Sequence, residues 1–268
     1  MSLTDAELAA HLAEVAGRLL LEVRASGMLS LKALGKAGDA TANLNLQVQR
    51  IYDRYDEDGL RQSPGQADRH RTVLTTADRQ NYEVGGDAEF GAGPGRLKLI
   101  GLRRFSREPF AQTVIVTYAD GAPRTGDRFT QLGRTGETIA RGEYSWKMLG
   151  GDWQLSGEGA FNRLTSEAST GVIDATGRFV DTALAGGSGG VAENRYEGLL
   201  SFGRPLGRRL SFQLIAGAER SAISQTTPGG LQRTFVRPKG SFSLLWKPSD
   251  SFDAALRLRR RVLQLDFY

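Results

Sequence analysis

The stretch GETIARGEYSWKMLGGDWQLSGEGAFNRL, residues 136–164, decides the fold. Ala140, Gly142, Tyr144, Trp146 and Met148 alternate with Arg141, Glu143, Ser145 and Lys147. After LGGD (149–152) the alternation resumes, with Trp153, Leu155, Gly157, Gly159 and Phe161 set against Gln154, Ser156, Glu158 and Asn162. A period of two places alternate side chains on opposite faces of a strand. The stretch therefore reads as two long antiparallel strands joined by a tight turn, each with one apolar and one polar face.

The same period extends in both directions. Ala42, Leu44, Leu46 and Val48 alternate with Asn43, Asn45 and Gln47; Tyr82, Val84, Gly86, Ala88 and Phe90 alternate with Asn81, Glu83, Gly85, Asp87 and Glu89. Leu210, Phe212, Leu214, Ala216 and Ala218 face away from Ser211, Gln213 and Glu219. Nine strands are predicted, near 40–56, 71–90, 96–118, 127–148, 153–168, 194–203, 209–225, 232–246 and 251–265. Several exceed the usual length of about 5–6 residues.

Connections alternate in length as well. GAGPG (91–95), LGGD (149–152), RPLGR (204–208) and KPSD (247–250) are tight; roughly 57–70, 119–126, 169–193 and 226–231 are longer and polar. All tight turns thus fall at one end of the sheet. Long antiparallel strands with one-sided short turns describe an outer-membrane barrel. Phe90, Trp146, Trp153, Phe202, Trp246 and Phe252 lie close to a short turn in the apolar phase, where an aromatic girdle meets the membrane–water interface. Tyr82 and Phe161 lie eight residues farther along. At about 3.3 Å per residue and about 45° of tilt this spans roughly 19 Å, near an apolar band of about 25 Å. A soluble β-sandwich with a buried aromatic face is the alternative.

Composition narrows the chemistry. Of 268 residues 34 are glycine, about 13% against a usual 7% or so. The net charge of +5 is a mild basic excess and does not imply a nucleic-acid partner. There is no cysteine, and His11 and His70 are the only histidines, so zinc sites and His-based triads are not expected. No cofactor, metal or catalytic residue is assigned, and the chain is not read as an enzyme. No apolar run reaches the 18 or so residues of a membrane-spanning helix. The acidic start MSLTDAELAAHL does not read as a signal peptide.

Residues 4–25 read as a helix. Thr4 and Glu7 form a capping box, Leu8, Leu12, Val15, Leu19 and Val23 give one apolar stripe, and Gly27 is a stop. The expected division is a helical segment over 1–37 and a partial barrel over 38–268.

From about residue 38 onward the chain resembles the barrel of TonB-dependent outer-membrane receptors. GRLKLIGLRRF (95–105), GETIARGEYSW (136–146), DWQLSGEGAFNRL (152–164), GGLQRTFVRPKGSFSLLWKP (229–248) and RRVLQLDFY (260–268) carry the resemblance. It implies an outer-membrane location, contact with lipid, and energised uptake of a scarce ligand such as a metal chelate or oligosaccharide. Partnership with TonB is implied by resemblance alone. Such receptors have a plug domain and about 22 strands; with nine expected and no plug, the chain reads as a fragment that is not itself transport-competent. Residues 1–43, ending in LLLEVRASGMLSLKALGKAGDATAN, resemble the opening of 3′(2′),5′-bisphosphate nucleotidases of the inositol monophosphatase superfamily, with Lys36, Gly38, Asp39 and Thr41 matching. The downstream metal-binding carboxylate motifs of that family do not occur, so at most an inactive remnant is implied. The two resemblances meet at GDATAN (38–43), the pattern of a chimera or a joined reading frame.

DRYDEDG (53–59) reads as a solvated external loop and GGSGG (186–190) as a mobile one. Arg257, Arg259 and Arg261 alternate with Leu256, Leu258 and Val262, which places them in the polar phase, the lumen side of a barrel. Three functional readings result: a receptor-like barrel segment, a soluble β-rich binding module, and a nucleotidase remnant.

Overall fold

A computed structural model describes residues 27–249 and 251–260. These form eleven strands: β1 (Gly27–Ala37), β2 (Ala40–Arg61), β3 (Arg69–Ala92), β4 (Gly95–Tyr118), β5 (Thr125–Met148), β6 (Gly151–Ile173), β7 (Phe179–Ala183), β8 (Gly189–Pro205), β9 (Leu210–Gln225), β10 (Gln232–Ser249) and β11 (Phe252–Arg260). No helix occurs among the described residues, and the helix expected over 4–25 lies outside them. All pairings are antiparallel within one sheet, in chain order from β1 to β11, except that β7 folds back on the distal part of β6. The sheet is open, with β1 and β11 at its two edges. A sandwich needs two packed sheets; the described residues make one.

The strand count is a correction, from nine to eleven. MLSLKAL, here in β1, was expected to belong to a helical segment ending at 37. In the sheet Leu29, Leu31 and Ala33 stand opposite Val48, Leu46 and Leu44, so a period of two continues across it. Gly27 opens a strand instead of stopping a helix. Lys36 pairs with Thr41 around the two-residue turn Gly38–Asp39, Gly38 having a φ of 59°. DRYDEDG also proves to be strand. Tyr55 pairs with Thr75 and Glu57 with Val73; Arg71 pairs with Glu57 (3.1 Å), and His70 Nε2 lies 2.5 Å from Asp58. Within GGSGG, Gly189 and Gly190 begin β8 and pair with Ser166 and Thr165.

The alternation of turns holds. Gly38–Asp39, Gly93–Pro94, Leu149–Gly150, 206–209 and 250–251 lie at one end; 62–68, 119–124, the β7 excursion and 226–231 lie at the other. Leu149 and Gly150 both have positive φ, 55° and 72°, as a two-residue hairpin turn matched to strand twist requires. β3, β4 and β5 each run 24 residues. At about 3.3 Å per residue this is roughly 79 Å of strand, or about 56 Å of height at 45° of tilt, twice the apolar band of a barrel.

Candidate membrane-facing surface and polar face

Register fixes which side chains share a face. Phe90 stands opposite Leu97, Leu97 opposite Tyr144, and Tyr144 opposite Leu155. Leu155 stands opposite Leu200, and Phe202 opposite Trp153 and Leu214. Leu244 pairs with both Phe212 and Leu256. One face is therefore apolar from β1 to β11. It is also the uncovered one: Leu44, Tyr82, Leu99, Leu155, Phe161, Leu200, Leu214, Trp246, Leu256 and Leu258 are 40–59% exposed.

The opposite face is polar and crowded. Glu193, Arg195, Glu219 and Ser221 are only 0–7% exposed. Arg195 bonds Glu158 at 2.8 Å, and Arg141 reaches both Glu143 (2.7 Å) and Glu158 (3.6 Å). Glu193 accepts hydrogen bonds from Ser221 Oγ (2.5 Å) and Asn162 Nδ2 (3.3 Å). Arg104 links Glu83 (2.7 Å) to Glu137 (3.7 Å), and Lys98 lies 3.5 Å from Asp87. Buried charges need such mutual satisfaction, because each lacks water to solvate it. A soluble sheet buries its apolar side; this one has the reverse arrangement.

The six expected aromatics all lie on the apolar face. Trp146 and Trp153 stack with ring centroids 6.1 Å apart, Trp153 meets Phe202 at 4.3 Å, and Trp246 meets Phe252 at 6.3 Å. Tyr144 on Trp146 (5.4 Å) and Phe212 against Phe202 (5.6 Å) extend the row. Phe90 sits beside Leu97, apart from these stacks. Sequence reasoning left out Tyr144 and Phe212, although both have the right phase. Arg257 and Arg259 pair with Ser243 and Ser241 on the polar face; Arg261 lies outside the described residues. The cross-strand charge ladder was not legible, since it depends on register between strands far apart in sequence.

At the long-loop end, β7 is fastened to β5. Arg128 grips the Asp181 carboxylate (3.0 and 2.5 Å) and lies 4.8 Å over the Phe179 ring. Gly171, opposite Asp181, admits that carboxylate: a Cβ there stands 2.2 Å from it. In the β6–β7 turn, Asp174 accepts from Thr176 Oγ1 (2.7 Å) and from the Thr176 and Arg178 amides (2.8 and 3.1 Å). The Thr176 hydroxyl first, then the backbone amides, hold its carboxyl below the usual carboxylate range. No group of three or more His, Asp or Glu able to hold a metal occurs among the described residues.

No family model matches the chain, and no curated protein matches it. Solved structures similar to it include the copper transporter OprC, with 10% identity and a TM-score of 0.41, over 84% of this chain and 41% of OprC. The translocator domain of the autotransporter NalP from Neisseria meningitidis is similar at 15% identity and a TM-score of 0.32, over 93% of this chain and 89% of that domain. BauA, the ferric preacinetobactin receptor of Acinetobacter baumannii, is similar at 7% identity and a TM-score of 0.31, over 83% of this chain and 45% of the receptor. The chain thus spans less than half the length of the copper transporter and of the ferric receptor.

Proposed function

We propose that the chain is a segment of an outer-membrane β-barrel of the receptor type. Its apolar face meets lipid, its charged face lines the lumen, and its tight turns lie on the periplasmic side. The observation that carries this reading is the exposure pattern, large apolar side chains uncovered on one face and buried ion pairs on the other. A lipid-facing wall makes that distribution favourable, because hydrocarbon covers the apolar side while the charges of the other face satisfy one another. The aromatic row from Tyr144 to Phe212, with Trp246 and Phe252, is the interfacial girdle. Arg257 and Arg259 belong to the lumen wall. Further strands close the barrel at β1 and β11, whose unpaired edges otherwise invite association. The role of the whole barrel, by sequence resemblance to TonB-dependent receptors, is energised uptake of a metal chelate or oligosaccharide through contact with TonB. This open sheet by itself encloses no channel.

The test is lipid dependence. The full chain, refolded from urea into phosphatidylcholine vesicles and separately into buffer, is expected to gain strand structure and protease resistance only with lipid. A monodisperse monomer that melts cooperatively in buffer alone overturns the membrane reading and favours a soluble binding module.

A further inference from the structure

The apolar face carries arginines at the far edge of its belt. Arg103 stands opposite Val84 and Thr138, in the cross-strand row of Phe161. Arg163 stands opposite Gly136 and Ala192. Arg107 and Arg134 face one another one row farther on. A groove of about 580 Å³ opens among Arg103, Arg134 and Arg163, with Phe161 in its wall on the belt side and Phe105 in the row of Arg163. Gly136 is its floor, and a Cβ placed there comes no closer than 3.7 Å to the Arg103 guanidinium.

The groove is cationic and under-compensated. Arg134 is bound by Glu167 at 2.9 Å. Arg103 donates to the neutral Thr138 hydroxyl, and neither it nor Arg163 has a carboxylate partner among the described residues. Both are exposed. Cations on the lipid face are unfavourable at depth and tolerated only toward the interfaces, and arginine forks suit phosphate oxygens, which they bind in pairs of hydrogen bonds. Phe161 lies ten residues from Gly151 and Arg103 eight from Gly95, the ends of their strands at the short turns, which sets the groove at the outer rim of the belt.

From this placement we infer that Arg103 and Arg163, with Arg107 and Arg134 behind them, form a binding site for the phosphate groups of an outer-leaflet lipid. Its acyl chains lie along Phe161, Leu99 and the apolar face below. A phosphate esterified to a lipid satisfies both the guanidinium forks and the aromatic wall, whereas a free phosphate satisfies only the first. The inference rests on the membrane reading.

The test uses the full chain refolded in mild detergent, titrated with diphosphoryl lipid A, with its dephosphorylated form, and with inorganic phosphate. The phosphorylated lipid is expected to bind at least about tenfold tighter than either of the others. R103Q/R163Q abolishes this preference, while R208Q, which removes a cation from the turn at the opposite end, preserves it. G136L fills the groove without altering charge and is expected to abolish the preference too, which covers the case in which R103Q/R163Q folds poorly. Equal binding of the two lipids, a preference that survives both groove variants, or phosphate binding as tight as the lipid's overturns the site. A chain that folds without lipid or detergent overturns the membrane reading instead.

Discussion

Glu197 of β8 and Glu219 of β9 stand directly opposite one another, and Lys239 of β10 contacts both carboxylates, Glu219 at 2.5 Å. Arg237 approaches Glu219 from the other side at 3.4 Å. Like charges facing across a strand pair are destabilising, so the lysine holds this part of the polar face together. K239M removes the shared cation from two crowded carboxylates. It is expected to lower stability by about 3–5 kcal/mol, the usual cost of breaking a buried ion pair from one side. K239M/E219L, which removes the second charge too, recovers most of that loss. Urea unfolding in vesicles measures both, and a K239M effect well under 1 kcal/mol contradicts the bridging role.

Which face meets lipid is tested by four arginines. Leu155 points to the apolar side among Tyr144 and Leu200, and Leu244 lies between Phe212 and Leu256. L155R and L244R each cost about 2–4 kcal/mol near the bilayer midplane and less toward an interface. Gln154 donates to Glu143 on the polar face at 3.2 Å, and Ser243 pairs with Arg257 and Gln213 there. Q154R is near neutral because it meets a carboxylate, and S243R is tolerated in a wet lumen. Folding free energies of the four variants in vesicles decide it; equal losses on both faces remove the assignment.

The Asp174 turn, outside the proposed membrane span, carries a pH signature. Its folded-state pKa is lowered by the Thr176 hydroxyl and the neighbouring amides. A lowered folded value means the stabilisation is complete above the unfolded aspartate's pKa and disappears as pH falls through the folded one. Amide exchange at Thr176 and Arg178 is therefore expected to stay slow near pH 5 and to lose protection toward pH 2, after correction for intrinsic rates. D174N removes that pH dependence. Protection that is flat across this window contradicts the carboxylate's role.

The sheet was legible because its signal is local. Alternation within 42–48, 81–90 and 136–164 needs no knowledge of any partner strand, and turns such as Gly93–Pro94 announce themselves by residue type. Strand β1 is not legible in the sequence, because MLSLKAL follows directly on a helical stripe and only pairing of Leu31 with Leu46 makes its period decisive. The strand character of DRYDEDG is hidden for a related reason. Its charges suit a solvated loop, and the strand it forms is exposed along most of its length there. The groove around Gly136 is not legible in the sequence, because Arg103, Arg134 and Arg163 come together only through register across three strands.

Tryptophan reports on the proposed interfacial row. The chain has three, Trp146, Trp153 and Trp246, all on the apolar face near the tight turns. In vesicles their fluorescence is expected to be quenched most by bromines placed near the lipid headgroups and least by bromines at the chain ends, since aromatic belts sit at headgroup level. Strong quenching by aqueous iodide, or a maximum at the bilayer centre, overturns the girdle.

Leu149 is the one non-glycine residue with positive φ among those described, at 55°. A left-handed conformation costs an ordinary L-residue roughly 1–2 kcal/mol, and Asn less, because its side chain bonds locally. Leu149 occupies the first position of a turn whose second, Gly150, has a φ of 72°, and its side chain is exposed. The leucine thus gains little burial to offset the strain. L149N turns this corner into an Asn-Gly hairpin turn, the sequence most suited to it, and is expected to stabilise the β5–β6 hairpin by about 1 kcal/mol. The gain should appear in urea unfolding of the chain in vesicles, with the tryptophan spectrum unchanged because Trp146 and Trp153 keep their stack. A destabilised L149N means that Leu149 makes contacts with lipid that outweigh its backbone strain.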